Sequence, residues 1–333
     1  QAHGDSRAGL VAAPSRGSGP HTMAVSKHLA SEAGVAYRLL RKGLPRAHLE
    51  IQQRLIDAAS QRGQAKRILE VVRQEAQAMT AGNASTALHL LAQASAEGGA
   101  QATEAEAVRR ACPELLSNVA ADADAAQPRE LATAAWAAAK LAANEPRPLG
   151  ALAEAITARI SSLEAQDAAM VAWAFATIRH GEAGALCGAL AGHAACDAEA
   201  YSPRHLVGVL WALASVRKQH DDYLWAVSRI AESTHARDWS PQDIANCLWA
   251  FAVLESAVPA PLPALAARVA TLGCKAFLPQ ELSIAMWAAA KLGAHERTPK
   301  ACDATRRLLQ HGARWLRGAG AAGYEPRHCP NAA

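Results

Sequence analysis

Apolar and polar positions recur along this chain in one phrase. Residues 240–254 read SPQDIANCLWAFAVL and residues 278–292 read LPQELSIAMWAAAKL. The phrase also stands at 202–216 (SPRHLVGVLWALASV), 164–178 (EAQDAAMVAWAFATI) and 127–141 (QPRELATAAWAAAKL). With Trp136, Trp173, Trp211, Trp249 and Trp287 in register, the steps are 37, 38, 38 and 38 residues. A fixed period of that size marks an array of stacked helical units.

Counted from the Trp as position 0, proline stands at −8 in four repeats (Pro128, Pro203, Pro241, Pro279) and an acid at −6 in four (Glu130, Asp167, Asp243, Glu281). Ser202 and Ser240 stand at −9. A cap, a proline in the first turn and an acid at the third position spell a helix start. Ser240 and Asp243 have the spacing of a capping box, with Asp where Glu is usual. The stretch from −8 to +5 is too long for an average strand and does not alternate. At about 100° per residue, positions −5, −2, −1, +2 and +5, with Ala at +3 and the Trp, cover an apolar arc of about 220°. That width predicts a helix packed on its partner and on both neighbouring repeats, with the Trp as a core residue at the edge of the arc. Positions +1 and +3 are Ala in all five repeats, which lets helix axes approach to about 8–10 Å.

The other arc, about 100° wide, holds −7, −3, +1 and +4. Position −7 is always Arg or Gln: Arg129, Gln166, Arg204, Gln242, Gln280. Position −3 changes freely (Thr133, Met170, Gly208, Asn246, Ile284), as does +4 (Lys140, Thr177, Ser215, Val253, Lys291). A constant frame with changing single positions suits a modular reader; it also suits solvated positions that drift. A second helix is predicted in each repeat, for example over 148–161, 222–236, 262–272 and 300–316. Helix, short turn, helix, short turn accounts for the period. The fold class is therefore all-α, an α-solenoid of stacked helix pairs, with five units forming a curved rod on the order of 50 Å long.

Around this array, residues 1–23 read as a tail rich in Gly, Ser, Pro and Arg, either plainly disordered or a transit-peptide remnant. Residues 24–82 read as N-terminal helices over 24–41 and 47–80, broken at Gly43–Pro45. Residues 1–75 hold twelve bases against six acids. Residues 83–126 read as a degenerate capping repeat, NASTALHLLAQA with His89 in the Trp place, ending in a loop at 121–127. Residues 127–317 are the five clear repeats. The segment GEAGALCGALAGH (181–193) is the weakest predicted helix, because a glycine costs about 0.8–1 kcal/mol relative to Ala. Residues 318–333 read as a loose tail.

Composition narrows the chemistry. No apolar run approaches the roughly 18 residues of a membrane span. The seven cysteines are scattered without a CxxC, so no disulfide framework is expected. His193 and Cys196 stand three apart without a second pair, which is too little for zinc. The thirteen histidines form no HExxH and accompany no GxSxG, so neither a catalytic role nor a cofactor is expected. Over 127–317 there are nineteen bases and seventeen acids, too even a balance for a strong non-specific binder of nucleic acid. Four of those acids are the helix-start residues at −6. Arg129 and Arg204 suit phosphates or guanine edges, and Gln166, Gln242, Gln280 and Asn246 suit base edges in a single strand. Thr133, Lys140, Thr177, Ser215 and Lys291 complete the candidate site.

The phrase PQ-D/E-L/I-x-x-x-x-W-A-x-A-K-L on a 38-residue period resembles the octotricopeptide repeat of algal organelle proteins. It is similar to the heptatricopeptide repeats of alveolates and to the helical region of FAST-kinase-domain proteins. Residues 278–293 match best, and NASTALHLLA at 83–92 looks like an atypical opening repeat. The resemblance covers 83–317. It implies an α-solenoid that binds single-stranded RNA in mitochondria or chloroplasts, acting in transcript stability, processing, translation or ribosome assembly beside other organellar RNA-processing or ribosomal proteins. The rival expectation is a protein–protein scaffold of the tetratricopeptide or armadillo kind, which also offers a long concave surface.

Overall fold

The computed structural model describes residues 46–61, 63–96, 102–233, 238–296 and 298–315. The tail over 1–23, the helix expected at 24–41 and the tail at 318–333 lie outside the described residues. Among these there are fourteen α-helices and no strand, so the chain is all-α. It divides into two compact units after Ala183.

The first unit runs to Ala183. It holds α1 (Arg46–Ala59), α2 (Gln64–Glu75), α3 (Ala81–Ala96), α4 (Ala102–Ala121), α5 (Pro128–Lys140), α6 (Pro146–Ala158) and α7 (Ala165–Ile178). Helices α1, α3, α5 and α7 pack each on the next, and α2, α4 and α6 form a second row. The second unit holds α8 (Ala183–Cys196, beginning at the boundary), α9 (Pro203–Ser215), α10 (Asp221–Glu232), α11 (Pro241–Leu254), α12 (Leu262–Leu272), α13 (Pro279–Glu296) and α14 (Pro299–Trp315). There α9 packs on α11 and α11 on α13, while α10, α12 and α14 form the other row. The repeat phrase thus supplies α5, α7, α9, α11 and α13.

One expectation is refined: the stretch 47–80 is not one helix, since Gly63, left-handed at φ 72°, precedes α2, and α1 and α2 form a helix pair of their own. The glycine-rich segment, the weakest predicted helix, is helical, as α8. A Cβ on Gly192 would come within 3.3 Å of His220 Nε2, so a side chain is missing where the turn before α10 comes close. His220 Nδ1 there caps α10 by accepting from Tyr223 N at 3.3 Å.

Three of the five repeat-helix starts close as their chemistry requires, whereas Ser202 before α9 makes no side-chain cap bond, contrary to the expectation, and neither does Glu164 before α7. Ser240 N donates to Asp243 Oδ2 at 3.0 Å and Asp243 N to Ser240 Oγ at 3.2 Å. Gln127 N donates to Glu130 Oε2 at 2.9 Å and Leu278 N to Glu281 Oε2 at 2.8 Å. The same start opens α3, where Asn83 N donates to Thr80 Oγ1 at 3.3 Å. That places Thr80 at −9 and Asn83 at −6, the register that puts His89 at the Trp position.

Two recurrences were not read from the sequence. Position −10 is buried in every unit of the register: Met79, Ala126, Leu163, Tyr201, Trp239 and Phe277. It stands five residues before the wholly buried −5 position (Leu131, Ala168, Leu206, Ile244, Leu282), the spacing of a hydrophobic staple. A single 3₁₀ turn leads into it at Ala76–Ala78, Ile160–Ser162, Ala198–Ala200 and Cys274–Ala276. Position +6 is left-handed in four repeats without being glycine: Ala142 (φ 54°), Arg179 (φ 58°), Arg217 (φ 53°) and Glu255 (φ 50°). It ends α5, α7 and α9 in Schellman fashion, with Ala143 N donating to Ala138 O and Lys218 N to Leu213 O, both at 2.9 Å, and α11 with a single bond from Glu255 N to Phe251 O at 3.1 Å. In the fifth repeat +6 is Gly293, yet α13 runs on to Glu296, where it packs on α14.

Two stability outcomes follow. Ala142→Gly should raise the stability by about 0.5–1 kcal/mol, read as a higher denaturant midpoint, because Ala is strained at positive φ. A fall would mean that α5 does not end in a left-handed turn. Gly312→Ala should cost about 1–3 kcal/mol, since a Cβ there would collide with Met286 Sδ and lie 3.0 Å from its Cε. Combined with Met286→Ala, the loss should be smaller than the sum of the two single losses.

Candidate functional site

Burial along the five repeat helices separates the positions sharply. Positions −5, −2, +1 and +2 are buried in every repeat: at +1 and +2 stand Ala137 and Ala138, Ala174 and Phe175, Ala212 and Leu213, Ala250 and Phe251, Ala288 and Ala289. Position +1 therefore does not belong to the solvent arc, contrary to the sequence expectation. The Trp at 0 is half-buried in all five repeats rather than a core residue. On helical geometry −7, −3, 0 and +4 fall within about 60° of one another. The Trp thus shares the accessible stripe with the variable positions.

In the first unit the stripe begins at His89, whose ring lies 5.1 Å from that of Trp136. Lys140 at +4 lies over both Trp136 (5.7 Å) and Trp173 (5.0 Å). It is a cation between two ring faces on neighbouring helices, and partial desolvation lowers its pKa. Arg129 and Gln166 are exposed at −7. Thr133 is half-buried and donates its hydroxyl to Arg129 O at 2.7 Å. Thr177 turns its hydroxyl inward, where Oγ1 is buried without a hydrogen-bond partner among the described residues; it presents no polar group to the stripe.

In the second unit the Trp211 and Trp249 rings stack at 6.4 Å with an interplanar angle of 26°, within the favourable range for aromatic pairs. Arg204, Ser215 and Gln242 are exposed; Asn246 and Gln280 are half-buried. Ile284 at −3 is only 6% exposed, so the fifth repeat offers no side chain at that place. Lys291 lies over Trp287 at 5.6 Å and bonds Glu255 at 2.6 Å. The stripe therefore combines cations, amides and half-exposed rings. The rings were the component expected in the core; their spacing of seven, three and four residues from −7, −3 and +4 was the signal that placed them on the same face.

The −6 row borders the stripe from inside. Burial raises Glu130, Asp167 and Glu281 above the usual carboxylate range, and Asp167 and Asp243 are buried. Glu130, Asp243 and Glu281 accept from the backbone N–H of their helix starts. Among the described residues no group of His, Cys, Asp and Glu is placed to hold a metal. No disulfide joins the six cysteines among the described residues, and burial pushes the thiols of Cys112 and Cys187 up to about 11 and 12; Cys247 is a core residue. Among the described residues no helix is long and apolar enough to cross a membrane.

His89 carries a pH dependence. Both ring nitrogens are buried without a hydrogen-bond partner among the described residues. Burial first, and then the Arg129 guanidinium, push it from 6.5 down to about 4. The unfolded chain binds this proton before the folded one does. Stability is therefore whole above pH 6.5 and falls as pH drops towards 4, by up to about 3 kcal/mol. His89→Phe should remove that loss; the difference between wild-type and variant unfolding curves from pH 7 to 4 measures it. An unchanged difference across the range would show that the imidazole is not held neutral. No protein-family model and no curated protein matches the chain, so what this face can do follows from its own geometry.

Proposed function

We propose that the repeats form an α-solenoid that binds single-stranded RNA sequence-selectively, as part of organellar RNA metabolism in a mitochondrion or chloroplast. The observation that carries this reading is the stripe. At each repeat it sets a half-exposed Trp beside a changing −3 or +4 residue, with Arg or Gln at the −7 end. Bases stack on such rings at about 1–3 kcal/mol each whatever their identity. Amides and guanidinium groups on either side would read edges and phosphates. Lys140 and Lys291, each over a Trp ring, put cations beside the stacking surface. The resemblance of the phrase to octotricopeptide repeats supports the same substrate and the organelle. The candidate contacts are Arg129, Lys140, Gln166, Arg204, Ser215, Gln242, Asn246, Gln280 and Lys291, with about one nucleotide per repeat.

A second reading has its own observation. Trp225 on α10 is 50% exposed and Leu278, just before α13, is 60% exposed. Exposed large apolar side chains suit a protein partner, as in a scaffold.

The test is retention of a random single-stranded RNA pool by the full chain at two salt concentrations, against a duplex-DNA control. Selection should enrich a short motif. Arg204→Ala should lower affinity about tenfold and reduce the salt slope by about one. Gln242→Ala should change the enriched motif at one position. Retention no better than duplex DNA would overturn the RNA reading and favour the scaffold.

A further inference from the structure

At the C-terminal edge of the stripe in the second unit, bases from two repeats converge on one acid of the repeat between them. Glu255 ends α11 in a left-handed conformation, φ 50°, with its side chain 59% exposed. Lys291 Nζ, from α13, bonds its carboxylate at 2.6 Å. His295, one helical turn further along α13, and Arg217, the left-handed residue that ends α9, act on the same carboxylate. Together they hold the Glu255 carboxyl below its usual range, the Lys291 hydrogen bond foremost, then the Lys291 charge, His295 and Arg217. The loop carrying Arg217 is fixed there, because Gln219 Nε2 donates to Leu254 O at 2.8 Å.

This arrangement is costly to explain as a cap alone. Glycine is the residue suited to a left-handed helix end, and a carboxylate at the negative end of a helix dipole is unfavourable. The acid is held there by cations that belong to other repeats. A second acid, Asp221 at the start of α10, stands nearby and accepts from Ser256 Oγ at 3.3 Å; Glu255 is the acid that Lys291 pairs with. An exposed ion pair of this kind holds weakly and is screened by salt, so another anion with more oxygens can take its place.

We propose that Arg217, Lys291 and His295 form a phosphate subsite at the end of the stripe, and that Glu255 occupies it in the free chain as an internal competitor. The subsite deepens the RNA reading and rests on it: a phosphodiester of the bound strand exchanges with the Glu255 carboxylate. No covalent step is involved. The carboxylate swings into solvent, and Lys291 keeps its place over Trp287.

Glu255→Gln removes the competing charge and keeps a side chain of the same size. Its expected effect on the full chain is about threefold to tenfold tighter binding of a labelled random-sequence single-stranded RNA at low salt, with a salt slope steeper by about one. Lys291→Met should weaken binding, and Glu255→Gln with Lys291→Met should lose the gain. A second probe, inorganic tripolyphosphate titrated by calorimetry, separates the subsite from the RNA reading. Glu255→Gln should bind it more tightly than wild type, and the double variant should not. If tripolyphosphate behaves so while no protein binds RNA, the subsite stands and the RNA reading falls. If Glu255→Gln binds neither probe more tightly, or gains equally without Lys291, the subsite is overturned, whatever the wild type does with RNA.

Discussion

The close approach of neighbouring repeat helices is the constraint on which the rest of the structure depends. Ala at +1 is wholly buried in all five repeats, which requires another helix near enough to cover a residue with almost no side chain. Larger residues fill the core at −5 and +2, such as Leu206, Ile244, Phe175 and Phe251. Small ones let the backbones meet. Packing on three sides leaves each helix one accessible strip, and the strip holds −7, −3, 0 and +4. The Trp side chains lie there because they are too large to pass between helices that alanine has drawn together. Their rings lie over one another, over His89 or under a lysine instead.

Helix ends decide what flanks that strip. The staple residues at −10 and the carboxylates at −6 are both turned inward, so the N-terminal edge presents the −7 Arg or Gln and little negative charge. At the other edge the left-handed +6 residues reverse the chain abruptly. They bring Arg217 and the following Gln219 beside the end of the neighbouring helix. Charge at that edge therefore depends on turns and not on helical periodicity. The ion pair between Glu255 and Lys291 joins two repeats through it.

Much of the candidate site was legible in the residues. Arg129, Gln166, Arg204 and Gln242 are exposed as the helical count implies, and the capping box at Ser240 and Asp243 has the geometry its spacing predicts. Other residues were misplaced for particular reasons. Thr177 and Ile284 sit at stripe positions, yet the Thr177 hydroxyl is buried and so is Ile284; an angle on a helical projection does not say how near the neighbouring helix stands. The glycines at 188 and 192 weaken α8 on propensity, yet the predicted helix forms, and Lys218 and His220 come close on the side the missing side chains leave free.

By itself the sequence determined the helical class, the period, the helix starts and the frame of the stripe, because each rests on interactions within a turn or two of the same helix: caps, dipoles and the 3.6-residue recurrence. Tertiary structure decided which side of the Trp faces outward, that His89 is held neutral by burial, that α1 and α2 make a further helix pair, and that Glu255 meets cations from other repeats. These depend on distances between residues about 20 to 50 positions apart in the chain, which a repeating pattern implies only in outline and packing alone sets.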